Sequence, residues 1–289
     1  MDSLTLEKIL REQAEEVHSY LAAWFSQLPE ERGNAMGRLF ESMSYSALGP
    51  GKRFRPVLAH LTGKSLGVSN LEIGPWAAAV EMVHTYSLIH DDLPCMDNDD
   101  ERRGRPTNHK AYDEATALLA GDALLTEAFG LLGESYSGRG AAAGRLVALL
   151  AEAAGARGMI GGQCLDIEAE KSVDMTLSEL RRIHELKTGR LIQVAVEGAA
   201  VLAGANTDVV KAFAQYGSSI GLAFQVADDL LDAEDEGQDG RSYVYHLGAV
   251  GAREELYRIS EVARQALDGL PVAHPALGAL IDWNQSRTQ

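Results

Sequence analysis

Residues 115 to 132 read ATALLAGDALLTEAFGLL. Alanine and leucine, both strong helix formers, dominate the run, and its polar residues recur at helical rather than alternating spacing. Residues 143 to 154, AGRLVALLAEAA, show the same pattern. Punctuation falls between such runs, at Gly49-Pro50-Gly51, Arg103-Gly104-Arg105-Pro106, Gly161-Gly162, Gly204-Ala205-Asn206 and Gly237 to Gly240. Small residues within the helical runs, Gly121, Ala199, Ala200 and Gly221, permit close approach of neighbouring backbones. No stretch reads as a convincing strand, and no internal repeat of about 20 to 50 residues is detectable. The expected fold class is all-α.

The whole chain, 289 residues, contains no Pro, Ser or Gly-rich linker and no shift in composition, so residues 1–289 are expected to form a single large helical domain. An apolar fraction of 46% suffices for a sizeable core, and a charged fraction of 24% is ordinary. Cys95 and Cys164 fit neither a zinc site nor a disulfide framework, which points to a reducing cytoplasm. Residues 1 to 16 mix charges with Leu4, Leu6, Ile9 and Leu10, giving an amphipathic helix without a signal peptide's apolar core. No uncharged apolar run reaches the roughly 20 residues that span a bilayer. The net charge of -16 argues against a nucleic-acid partner.

That charge is concentrated. Residues 91 to 101 carry six acids and no base, and residues 228 to 239 carry seven acids and no base. With those 13 set aside, 29 acidic residues remain against 26 Lys and Arg. The clusters are Asp91-Asp92-Leu93-Pro94-Cys95-Met96-Asp97 and Asp228-Asp229-Leu230-Leu231-Asp232, and each directly follows an apolar segment. A single acidic run is more often a solvated loop. Crowded carboxylates repel unless a cation lies between them, and hard oxygen ligands suit Mg²⁺ bound through a few carboxylates plus substrate phosphates. Asp228 and Asp232 stand four residues apart, with Asp229 three before Asp232, so these carboxylates share one face of a helix. Pro94 disfavours a continuous helix through the first cluster; the expected geometry is a helix ending near Asp92 and a loop that returns Asp97 towards the same ions.

Cations lie where a polyphosphate would need them. Lys52 and Arg55 are three residues apart in GKRFRP (51 to 56), Arg102-Arg103 directly follows the first cluster, and His84 precedes Asp91 by two helical turns. Arginine offers a bidentate fork to phosphate, and lysine a point charge.

The stretch HTYSLIHDDLPCMDNDDERRGRPTNH (84 to 109) resembles the first aspartate-rich region of the short-chain trans-isoprenyl diphosphate synthases, the farnesyl and geranylgeranyl diphosphate synthase family. GKRFRP, Gly161-Gly162-Gln163 with Asp166, Lys187-Thr188-Gly189 and Phe224-Gln225-Val226-Ala227-Asp228-Asp229 occur in the family's order, over nearly the whole chain. The resemblance implies an isoprenoid synthase-like helical bundle around a deep central cavity, and a homodimer. It implies that Asp91, Asp92 and Asp97 bind a pair of Mg²⁺ ions and that Asp228, with Asp229 and Asp232 nearby, binds a third. Arg102, Lys187, Thr188 and Gln225 would contact the allylic diphosphate; Lys52, Arg55, His84 and Arg103 would hold isopentenyl diphosphate. Of these, Asp91, Asp92, Lys187, Thr188 and Asp228 would be the catalytic set.

One departure stands out. Such enzymes carry a longer loop after the second motif, with lysines that close over the allylic diphosphate; here Asp232 is followed by AEDEGQDGRSY (233 to 243), whose only base is Arg241. Arg241 is therefore the expected substitute. Tyr86 and Ser87, about one turn before Asp91, are expected to set product length. The expected activity is condensation of isopentenyl diphosphate with dimethylallyl and then geranyl diphosphate, giving farnesyl diphosphate. Geranylgeranyl diphosphate is the alternative product, and a non-catalytic subunit that binds prenyl diphosphates is the rival from another class. A terpene cyclase, which shares the aspartate and Mg²⁺ logic, has no need of the second diphosphate site that Lys52, Arg55 and His84 provide.

Overall fold

The structure is a computed structural model that describes residues 1–29, 33–171, 175–232 and 240–287. Its α-helices in chain order are α1 (Ser3–Phe25), α2 (Ala35–Ala47), α3 (Phe54–Ser65), α4 (Asn70–Asp91), α5 (Asn108–Ala111), α6 (Glu114–Ser135) and α7 (Ala141–Ala154). They continue with α8 (Met159–Ala169), α9 (Leu177–His184), α10 (Arg190–Leu202), α11 (Thr207–Asp232), α12 (Tyr243–Asp268) and α13 (Pro275–Ser286). The two alanine and leucine-rich runs read from the sequence fall within α6 and α7. The all-α class holds.

α4 is the central helix. Its N-terminus is fixed by Ser69, whose hydroxyl accepts from the Glu72 amide. From Ile73 to Val83 every residue is buried, the all-round apolar character of a helix inside a core. α3, α6 and α10 pack around it. It meets α10 at Trp76, whose indole Nε1 donates to the Ala195 carbonyl at 2.9 Å. A Cβ at Gly198 would lie 2.0 Å from that ring, so only glycine fits beneath it. Gly121 admits the His90 ring in the same way, and Gly221 brings α11 against Gly189. α11 packs between α10 and α12. By length and composition α6 alone, among the described residues, could cross a membrane; one of its faces, including Ala117, Ala120, Leu124 and Leu132, is buried in the core.

Two sequence expectations are corrected. Gly161-Gly162, read as a break between helices, lies inside α8. And the segment read as strand-free punctuation at 103–106 belongs to a two-stranded antiparallel hairpin, Glu101–Arg102 paired with Arg105–Pro106. Arg103 (φ 55°) and Gly104 (φ 73°) both take positive φ at its turn, as the twist of a two-residue hairpin demands.

Candidate active site

The first aspartate motif is built by the end of α4. Asp92 caps the helix, and the chain then turns so that the Asp97 amide donates to the Asp91 carbonyl at 2.8 Å. Asn98 takes positive φ (55°) to complete the loop. Asp97 thus comes back beside Asp91. Burial, reinforced by Asp97 and Asp92 against the opposing charge of Lys187, pushes the Asp91 carboxyl up to about 6. Burial raises Asp92, Asp97 and Asp228 as well. Asp92, 3% exposed, is held by Arg102, whose Nε and Nη2 each lie 2.6 Å from its Oδ1.

The second motif sits at the end of α11, and its first two carboxylates take different partners. Asp228 Oδ1 pairs with Arg287 Nη2 at 2.8 Å. Asp229 Oδ2 instead accepts the Tyr243 amide at 2.7 Å, tying the start of α12 to the end of α11. Asp232 is exposed in the last turn. Among the described residues, no three acids or imidazoles converge closely enough to cage a metal ion. The donors nevertheless fit Mg²⁺, which takes one or two carboxylates and completes its octahedron with water and phosphate oxygens. The raised Asp91 carboxyl marks a place where added positive charge is favourable.

Facing these acids are two cavities. One, of about 550 Å³, is lined by Lys52, Arg55, His84 and Arg103 together with Thr188, Gln225 and Asp228. The other, of about 560 Å³, is lined by Asp91, Lys187, Thr188, Tyr86, Ser87 and apolar residues including Leu125, Met159 and Ile167. Arg55, His84 and Thr188 wall both. Arg55 Nη1 lies 3.2 Å from His84 Nε2. Burial and then the charge of Arg55 hold His84 well below the usual imidazole range, so its ring is neutral and accepts from Arg55. Burial lowers Arg55 itself to about 10. The Arg103 guanidinium donates to the Pro50 carbonyl at 2.9 Å and lies over Gly51, where a Cβ would be 2.1 Å from Nη1.

Lys187 and Thr188 lie on a π-helical turn, Glu185–Gly189, between α9 and α10. Such turns concentrate at functional sites. Lys187 Nζ donates to Asp166 Oδ2 at 2.5 Å, and the turn's backbone rests on α8 so closely that a Cβ at Gly162 would be 2.3 Å from the Lys187 nitrogen. Gln163 Oε1 on the same helix is buried without a partner. Tyr86 is 4% exposed, its hydroxyl has no partner, and its ring meets His90 edge-on at 5.7 Å. Ser87 donates to the His84 carbonyl at 2.9 Å.

A polyprenyl synthetase family model matches residues 37–243, which span both cavities and both aspartate motifs. This chain belongs to the polyprenyl synthetase family. A farnesyl diphosphate synthase of Geobacillus stearothermophilus is 40% identical over 99% of this chain and 99% of its own length. One from Bacillus subtilis is 43% identical over 86% of this chain and 88% of its own. Among solved structures, an FPP/GFPP synthase from Zymomonas mobilis superimposes with a TM-score of 0.91 at 37% identity, covering 98% of this chain and 100% of that one.

Two elements of this polyprenyl synthetase site, Arg287 and Arg53, were not anticipated from sequence. Arg287 reaches Asp228 from just beyond the end of α13. Arg53, in the left-handed region (φ 49°) at the start of α3, turns inward to pair with Glu81 at 2.6 Å and to bond the Ala47 and Gly49 carbonyls; it holds the loop bearing Lys52. Arg241, expected over the substrate, pairs with Glu170 at 3.1 Å. The acidic stretch between Asp232 and Gly240, expected to be a shortened closing loop, lies outside the described residues.

Proposed function

We propose that this synthetase is a Mg²⁺-dependent prenyltransferase that joins isopentenyl diphosphate to dimethylallyl and then geranyl diphosphate, yielding farnesyl diphosphate. The observation that carries the reading is the pair of adjoining cavities with different linings. One is cationic and polar, suited to the diphosphate of isopentenyl diphosphate; the other places Asp91 and Lys187 at the head of an apolar chamber suited to an allylic chain. Bound Mg²⁺ would neutralise the departing diphosphate, with Asp91, Asp92, Asp97 and Asp228 as its candidate holders. Lys187, Thr188, Gln225 and Arg102 would orient the allylic diphosphate, while Lys52, Arg55 and Arg103 hold the second diphosphate. Neutral His84 accepts from Arg55 and so fixes its fork. The apolar wall would exclude water from the developing allylic cation, and the wall that the two cavities share at Thr188 supports a reading in which that carbon meets the isopentenyl double bond.

Residues 1–289 act as one helical unit in this reading, and the unit pairs as a homodimer. Leu118 and Leu119 on the exposed face of α6, 46% and 56% exposed, support that pairing. The free thiols Cys95 and Cys164 favour the cytoplasm. The test is incubation of the purified protein with Mg²⁺, isopentenyl diphosphate and each allylic diphosphate, with products separated by chromatography. Farnesyl diphosphate is expected from geranyl diphosphate; a geranylgeranyl product would move the chain to the alternative, and no chain extension at all would sink the reading.

A further inference from the structure

Arg287 is held by several partners at once. Its Nη2 donates to Asp228 Oδ1 at 2.8 Å and to the Phe224 carbonyl at 3.0 Å, while Nε donates to Asn284 Oδ1 at 2.8 Å. The guanidinium carbon lies 4.1 Å from the centroid of the Phe224 ring, which packs in turn on Phe54 at 4.7 Å. The Arg287 side chain is 12% exposed and that of Asp228 34%. Phe54, Phe224 and Asp228 all line the cationic cavity, so this guanidinium packs against three residues of its wall or their immediate neighbours.

We propose that Arg287 is a resident counter-cation of the second aspartate motif, one that a metal–diphosphate complex must displace from Asp228. The inference rests on Asp228 being a metal ligand, as proposed above. A divalent ion on either oxygen of Asp228 would stand close to the guanidinium on Oδ1, and at a site only partly open to water the repulsion between the two cations is incompletely screened. The metal alone gains too little at Asp228 to move a guanidinium that also bonds the Phe224 carbonyl and Asn284 and lies over the Phe224 and Trp283 rings. A metal arriving with a diphosphate brings anionic oxygens that can satisfy the cations nearby. Arg287 therefore makes occupancy of the second motif conditional on substrate.

The test reads metal binding rather than turnover. Mn²⁺ is titrated into the whole protein and free ion is followed by electron paramagnetic resonance, with and without inorganic diphosphate. Wild type should fill the Asp228 site only when diphosphate is present. Arg287→Ala should tighten diphosphate-free Mn²⁺ binding about fivefold or more, a factor in keeping with loss of one partly exposed ion pair. Arg287→Gln, which keeps most of the side chain, should do the same, Arg287→Lys should restore wild-type behaviour, and adding Asp228→Ala to Arg287→Ala should abolish the gain. Unchanged or weaker Mn²⁺ binding in both uncharged variants, with helix content intact by circular dichroism, overturns the proposal and leaves Arg287 as a clamp for α13. If Asp228→Ala alone leaves the Mn²⁺ stoichiometry with diphosphate unaltered, the metal assignment fails, and the proposal falls with it.

Discussion

Arg102 places both Nε and Nη2 at 2.6 Å from one oxygen of Asp92, so the second residue of the first aspartate motif is tied to the hairpin that follows it. Asp92 is 3% exposed and would be left as an uncompensated charge without this partner. Arg102→Ala should cost about 2 kcal/mol of stability, less than for a fully enclosed pair because Arg102 is itself partly exposed. Denaturant melts of the metal-free protein measure this. Arg102→Lys should recover part of the loss but not the fork geometry.

Asp91 supplies a pH-dependent prediction. Its folded value, about 6, lies above the ordinary 3.8, so the metal-free fold favours the protonated form, and ionisation of Asp91 destabilises the fold as pH rises through that window. Asp91→Asn removes the penalty. Without metal, the variant should exceed wild type in stability at pH 8 by on the order of 1 kcal/mol, and the gap should close below about pH 4. Comparing the two proteins cancels the opposite contributions of His60 and His184, which burial holds neutral down to about 4. Mg²⁺ with diphosphate should reverse the order at pH 8, and turnover of the variant should fall by at least about a hundredfold.

Tyr86 bounds the apolar chamber with a hydroxyl that has no partner. Tyr86→Ala should lengthen the chamber and shift products from farnesyl towards geranylgeranyl or longer chains. Chromatography of the products settles it, and an unchanged distribution would place the floor deeper. Removing the ring should also cost about 3 kcal/mol, moderated by loss of the orphaned hydroxyl.

Gly162 carries the π-helical turn. An added Cβ would sit 2.3 Å from the Lys187 nitrogen and 2.7 Å from its Cα, both backbone atoms that cannot step aside. Gly162→Ala should therefore push Lys187 and Thr188 out of place. The expected result is at least a tenfold or so loss in kcat/KM for the allylic substrate. Gly130→Ala, where a Cβ would come no nearer than 3.9 Å to a neighbour, the Glu127 carboxylate, should be close to neutral and serves as the control.

Arg241 meets Glu170 at the surface, both side chains about half exposed at 42% and 52%. Such a pair contributes at most about 1 kcal/mol and is easily exchanged for a diphosphate. Arg241→Ala should raise KM for geranyl diphosphate more than for isopentenyl diphosphate. Equal changes in the two constants, or none, would make it a surface residue only.

The all-helical class was legible because Ala and Leu-rich periodicity runs the length of the chain. The return of Asp97 to Asp91 was legible because Pro94 forbids the alternative. That Asp228 and Asp229 take different partners was not. Helical spacing gives an approximate face, but the Tyr243 amide that draws Asp229 aside comes from another helix. Arg287 carried no local signal at all, since it is 59 positions from the aspartate it meets. The π turn was invisible for a different reason: its residues have the composition of an ordinary helix, and only the backbone pressing on Gly162 betrays it. Gly161-Gly162 was misread because glycine marks both chain breaks and close helix contacts.

The hairpin at residues 101–106 turns a chemically uniform pair of residues into two different instruments. Arg102 and Arg103 have identical side chains, yet one faces Asp92 and the other Pro50 and Gly51. What separates them is the turn, where the backbone reverses between one arginine and the next. Deleting or inserting a single residue here would leave the count of positive charges untouched while breaking the register that sends the two guanidinia apart. What each guanidinium meets is thus written in chain direction rather than in residue type.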